Sequence, residues 1–175
     1  MVKTEVDFTY RSEDTLTAMK SMGLLLTSVS RDGKPNAMTI GWGLLGTIWR
    51  KPIFLALVRP SRFTHKLIEE TGEFVVNVPT AKMADIVNYC GTVSGSAHDK
   101  FSEKRIHTVH GIKVKVPSIV GCPIHYECKV IYKLKIDPST LFGDIKELYK
   151  DGEYHTIYFG EILATYAEKT SFRKT

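Results

Sequence analysis

No apolar run in this 175-residue chain approaches the roughly 18 residues that cross a bilayer, so a membrane helix is not expected. The first residues, with Lys3, Glu5, Asp7 and Arg11, lack the apolar middle of a signal peptide. Cysteine is scarce. Cys90, Cys122 and Cys128 are odd in number and show no Cys-x-x-Cys pair, which argues against a disulfide framework. These absences point to a cytoplasmic protein that does not engage a membrane.

Other chemistries are missing as well. No basic run is interleaved with aromatics, so the net charge of +5 reads as a mild bias toward anionic ligands and not as a nucleic-acid footprint. No Ser/His/Asp set or pair of carboxylates stands out. His107-x-x-His110 has no further ligands around it and reads as an exposed loop pair, so no metal is expected. Gly41-Trp42-Gly43 is a Gly-x-Gly without the rest of a dinucleotide fingerprint, and no helical pattern follows it. There is no repeat, linker or low-complexity segment.

What is present is an ordinary globular composition, 43% hydrophobic and 25% charged, in a length that suits one domain over residues 1–175. Asn36-Ala37-Met38-Thr39-Ile40-Gly41-Trp42 alternates small residues (Ala37, Thr39, Gly41) with large ones (Met38, Ile40, Trp42), the period of a strand. Its small face is either a wall for a flat ligand, with peptides left uncovered at Gly41 and Gly43, or a core face packed by a bulky neighbour.

The other elements follow from similar signals. Ser12 to Lys20 reads as a short helix stopped by Gly23, and Leu24 to Ser30 as a strand leading into the hairpin turn Arg31-Asp32-Gly33-Lys34. Lys51-Pro52 ends a loop, and Ile53 to Val58 is a strand buried on both faces. Ser61 is positioned to cap a helix carrying Phe63, Leu67 and Ile68 to a stop near Gly72. Phe74 to Val78 is a strand. Thr80 starts a helix burying Met83, Ile86, Val87 and Cys90 and closing at Gly91, and 92–101 is a loop. Ile124 to Ile136 alternates with one break, at Ile131, and puts Cys128 on the buried face. His155 to Tyr166 is a last strand bulged at Gly160. Many hairpin-linked strands with few helices suggest a closed β-barrel with helical decoration.

Three places could carry chemistry. The helix after Ser61 offers free N–H groups and its dipole to an anion, with Ser61 and Thr64 in its first turn and Arg59 and Arg62 beside it. A capped surface helix with solvated arginines is the plainer alternative. Gly91-Thr92-Val93-Ser94-Gly95 with Lys100 forms a second polar cradle carrying a mobile charge, or simply a loop. His155, before the last strand, is a surface residue or a donor to a nearby ligand. A site poor in acid/base groups yet able to hold a flat anion suits a cofactor that brings its own chemistry.

Asn36–Trp42, Arg59-Pro60-Ser61-Arg62-Phe63-Thr64, Phe74–Pro79, Cys90–Gly95, Asp99-Lys100-Phe101, Cys122-Pro123 with Glu127-Cys128, and His155 with Gly160-Glu161-Ile162 occur in that order. Together, from about Met22 to Ala164, they resemble the flavin reductase family of the FMN-binding split barrel, particularly its flavoredoxin-like and ferric-reductase-like members. The resemblance implies a mainly β, Greek-key split barrel with a few short peripheral helices, acting as a homodimer with one FMN per subunit near the interface. It implies that Met38, Thr39, Ile40 and Gly41 line the isoalloxazine, with Trp42 flanking the ring or the dimer contact. Arg59, Ser61, Arg62 and Thr64 would take the phosphate, and Ser94, Gly95 and Lys100 would close over the ribityl phosphate end. His155 falls where the family has Gly-Asp-His, but Glu153 and Tyr154 precede it here and the Asp is missing.

The implied activity is an NAD(P)H-dependent flavin or ferric reductase, with hydride passing from NADH or NADPH to FMN and electrons on to a small-molecule or redox-protein acceptor. The alternatives are a flavoredoxin-like electron carrier with no nicotinamide oxidase activity, or a barrel without flavin. FMN is favoured over FAD because no extra segment is available for an adenine.

Overall fold

Alternation and turn chemistry account for most of the elements. The computed structural model describes residues 3–168 and opens with β1 (Lys3–Val6) and α1 (Ser12–Ser21). The first turn of α1 carries Glu13 and Asp14, the sign its dipole favours, and the chain leaves it through Gly23 at φ 93°. Strands β2 (Leu24–Val29) and β3 (Pro35–Ile40) form the expected hairpin, paired from Leu24↔Ile40 to Val29↔Pro35.

A second hairpin follows that no Gly or Asn announces. β4 (Gly43–Ile48) and β5 (Lys51–Val58) are joined by Trp49-Arg50, both at positive φ (55° and 59°), the conformation of a two-residue primed turn. Lys51 and Pro52 therefore belong to a strand and not to a loop. Gly43 is not uncovered either: a Cβ there would lie 2.6 Å from the Leu55 carbonyl oxygen. β5 is less buried than its apolar sequence suggests, since Leu55 and Leu57 are only half-buried.

Next come α2 (Phe63–Thr71), β6 (Glu73–Val78), a 3-10 turn at Ala81–Met83 and α3 (Ala84–Thr92). A short helix α4 (Lys100–Glu103) interrupts the expected loop, and β7 (Thr108–Val109) pairs with β8 (Ser118–Ile119). His107 and His110 flank β7 and are both exposed. β9 (Ile124–Lys135) and β10 (Thr156–Glu168) close the order, separated by 3-10 turns at Pro138–Thr140 and Gly143–Tyr149.

The main sheet is antiparallel, with β3-β2-β6-β9-β10-β5-β4 as its path and β1 added to β10. β3 and β4 are neighbours in the chain but the two ends of this path, so the hydrogen-bonded barrel is split between them and not closed. Its interior is filled by Leu24, Leu26, Phe54, Phe74, Val76, Tyr126 and Tyr158, with Ile68 of α2. Register shifts on β10 between Phe159 and Gly160 give the expected bulge, where a Cβ on Gly160 would meet the Phe74 ring at 2.4 Å. A second cluster lies outside the sheet, where Val87 and Cys90 of α3 cover Leu25 and Ala37.

β9 departs from simple alternation. Residues 124–128 are buried on both faces, including His125 and Glu127. Glu127 survives burial because its carboxylate accepts the backbone N–H groups of Ile112, Lys113 and Val114, pinning the loop that covers it. Cys128 lies on the barrel side as the alternation requires, and all three cysteines are free and buried. Among the described residues no helix is long and apolar enough to cross a membrane.

Candidate functional site

The split end of the sheet, the start of α2 and the end of α3 surround one cavity of about 280 Å³. All the residues singled out from sequence line it: Met38, Thr39, Ile40, Gly41 and Trp42; Arg59, Ser61, Arg62 and Thr64; Ser94, Gly95 and Lys100; and His155. Gly91 and Val93 of the expected cradle also line it, and Asn36, Leu57, Phe63 and Cys90, to which sequence reasoning gave no role there, complete the wall.

β3 contributes a backbone edge. Among the described residues it pairs only with β2, and the Ala37 carbonyl oxygen accepts Lys100 Nζ at 2.8 Å on its other side. Backbone groups two residues apart in a strand point the same way, so those of Thr39 share this free edge. Pro35 has the same parity, and its missing N–H therefore costs the ladder nothing. The small face is shared: Thr39 and Gly41 line the cavity, and a Cβ on Gly41 would meet nothing within 4 Å, but part of the face is packed against α3. Ala37 packs under Val87 and Cys90, the Thr39 hydroxyl donates to the Val87 carbonyl, and a Cβ on Gly91 would meet Thr39 at 3.3 Å. Ala37 and Thr39 thus allow the close approach of α3, while the free edge with Gly41 is what the cavity receives.

At the start of α2 the expected cap is absent. The helix begins one residue later than a Ser61 cap implies, with Arg62 at the cap position and no side-chain capping bond. The Ser61 N–H instead donates to Glu153 Oε1 at 2.7 Å, a bond that holds the Glu153 carboxyl below its usual range. Arg59 is also committed. Its guanidinium pairs with Asp151, lies 3.7 Å from Glu153, donates to the Leu148 carbonyl at 3.3 Å, and sits 5.6 Å from the Tyr149 ring centroid. Arg62, by contrast, is exposed and forms no ion pair with a described residue. Buried Thr64 accepts Asn36 Nδ2 at 2.7 Å, which leaves its own hydroxyl proton available.

The loop after α3 is packed more closely than a glycine cradle suggests. Gly91 lies inside α3, and Gly95 backs onto Asn36 so tightly that a Cβ would stand 1.9 Å from Oδ1. Ser94 is exposed and bonds Ser96. Lys100 is not a mobile charge. It is only 4% exposed and donates to the carbonyls of Ala37 and Cys90, with no carboxylate partner among the described residues. Burial lowers its pKa, and nearby Arg62 adds to that. The cavity therefore contains two cationic side chains without carboxylate partners among the described residues, the arrangement that favours an anion.

On the opposite side, His155 is buried, its Nδ1 2.9 Å from the Tyr149 hydroxyl, with the Trp42 ring 5.0 Å away. Burial, helped by Arg59, pushes its pKa down to about 4, so the imidazole is neutral at neutral pH. Trp42 remains partly exposed beside the cavity mouth.

The chain matches the model of the flavin reductase like domain over residues 16–174. An uncharacterized protein of Archaeoglobus fulgidus is 37% identical over 131 residues, covering 71% of this chain and 73% of that protein. The flavoredoxin of Methanosarcina acetivorans superposes with a TM-score of 0.69 at 28% identity, covering 86% of this chain and 71% of the other. The flavoredoxin of Desulfovibrio vulgaris (Miyazaki F) gives a TM-score of 0.70 at 24% identity, covering 87% and 72%, and supports the fold. With the model spanning nearly the whole length, this chain belongs to the flavin reductase like family.

Proposed function

We propose that this protein binds FMN in the cavity and acts, as one domain over residues 1–175, as an NAD(P)H-dependent reductase of the flavin or ferric reductase kind. The observation that carries this reading is the free β3 edge lying beside a helix start that offers unpaired Arg62 and the Thr64 hydroxyl. A flat heterocycle with a phosphate tail needs both at once. The residues present fit such a group: backbone along Met38–Gly41 for the ring, Arg62, Ser61 and Thr64 for the phosphate, with Arg59 behind them, and Ser94, Gly95 and Lys100 along the connecting chain.

Bound flavin supplies hydride acceptance and onward release of electrons, which no side chain here could do. The protein's own share is orientation and charge. Thr39 and Gly41 present the strand edge to the ring, while Lys100 and Arg62 supply positive charge that favours an anionic ligand state. Neutral His155 is a hydrogen-bonding group here and not a proton store.

The flavoredoxin likeness at 28% identity favours a second reading, an electron carrier that holds FMN and takes electrons from a partner protein. Three buried free thiols suit a cytoplasmic setting. A homodimer is supported by an exposed aromatic cluster on the sheet: Trp49 and Tyr132 are 58% and 47% exposed, and both rings pack on Phe159. Anaerobic absorbance of the FMN-loaded protein, titrated with NADH and then NADPH, tests the activity. Prompt bleaching by one nucleotide is expected. Bleaching by dithionite alone selects the carrier, and failure to take up FMN removes both.

A further inference from the structure

We infer that Tyr149 is a positioning residue that holds the His155 imidazole in the tautomer with its proton on Nε2, so that the ring offers an N–H donor to an acceptor oxygen of an anionic ligand in the cavity. Tyr149 ends the 3-10 turn at Gly143–Tyr149 and is buried, and its hydroxyl has one partner among the described residues, Nδ1 of His155 at 2.9 Å.

A buried O–H must donate somewhere, and here Nδ1 is the acceptor in reach. Were Nδ1 protonated, the phenol oxygen would accept and its own proton would be left unpaired inside the fold, the costlier arrangement. The hydroxyl therefore donates to Nδ1, and the neutral ring must carry its proton on Nε2. Arg59, 5.6 Å from the Tyr149 ring, opposes a second proton on the histidine. Trp42, 5.0 Å from His155 and 6.3 Å from Tyr149, packs against both rings.

No described residue pairs with Nε2, and His155 lines the cavity. What the ring can recognise there is an acceptor, a carbonyl or anionic oxygen. The ligand half of the inference rests on the FMN reading; the tautomer half is read on the protein alone.

The test is long-range ¹H–¹⁵N NMR of full-length protein labelled at histidine nitrogens, at neutral pH, for wild type and Tyr149→Phe. A single Nε2–H form of His155 in wild type and a mixture in the variant are expected. An Nδ1–H form in wild type, or an unchanged tautomer in the variant, overturns the role of Tyr149. FMN affinity, read by flavin fluorescence, should fall about tenfold in Tyr149→Phe, the loss of one hydrogen bond. In a His155→Gln background, whose amide donates from a similar position without a tautomer, Tyr149→Phe should cost nothing further. An equal loss in both backgrounds overturns the tautomer as its cause. If no form binds FMN, the flavin reading and the ligand half fall together, and the spectrum still decides what Tyr149 does.

Discussion

The Asn36 amide donates to the Thr64 hydroxyl at 2.7 Å while the backbone of Gly95 presses against the same amide from its other side. One buried side chain thus joins the edge strand, the start of α2 and the loop after α3. Gly95→Ala puts a methyl where Asn36 Oδ1 stands and should destabilise the fold by about 1–3 kcal/mol, the range for overpacking a tight site. Urea denaturation measures it. The cost should shrink when Asn36→Ala is combined with it, since the clash is then removed.

Charge at the start of α2 is unequally available. Arg62→Ala should weaken FMN by about 1.5–3 kcal/mol and leave riboflavin unaffected, because a charge-assisted bond to phosphate is lost. Arg59→Ala should cost less, its guanidinium being already engaged by Asp151 and Glu153. Isothermal titration with both ligands checks the order. A larger loss for Arg59→Ala contradicts it.

Glu153 engages the Ser61 N–H and Arg59, donors that the proposed phosphate would use. Glu153→Gln keeps an acceptor for the Ser61 N–H but removes a negative charge 3.7 Å from Arg59, and FMN should bind more tightly in the variant. A weaker complex would mean that Glu153 serves the site by holding Arg59 in place.

Acid should unfold the protein through its buried histidines. Burial lowers the pKa of His125 to about 3 and that of His155 to about 4, against an ordinary 6.5. Between the unfolded and folded values the unfolded chain binds more protons. Stability therefore falls as pH drops below about 6.5, by up to about 1.4 kcal/mol per pH unit for each histidine. Denaturation midpoints at several pH values test the slope, and His125→Gln should flatten it.

If the aromatic cluster formed by the β4–β5 turn, β9 and β10 meets a second copy, Trp49→Glu with Tyr132→Glu should yield a monomer by light scattering. A wild-type monomer would refute the dimer directly.

Where local chemistry decides structure, the sequence was readable. Asp32-Gly33 specified the first hairpin, and alternation located β3, β9 and the Gly160 bulge. The cavity residues could be named because they sit at the ends of such elements and match a family pattern. What stayed hidden depends on contacts distant in the chain. Trp49-Arg50 turns without a turn residue, its conformation matched to the pairing of the flanking strands. Glu127 looks solvent-facing by alternation until the backbone of 112–114 arrives to bind it. Tyr149 and Glu153 lie in a stretch without regular periodicity, so nothing local announced that they meet His155 and Ser61. Asn36 was visible as a residue, but its partner Thr64 was not.

The free edge of β3 carries one more consequence. An unpaired strand edge invites another chain to add itself, and folded proteins defend such edges with charge or cover. Here the Lys100 ammonium occupies the Ala37 carbonyl, the acceptor an incoming strand would need first. The same lysine that adds positive charge to the cavity therefore also covers one acceptor along the barrel's open seam.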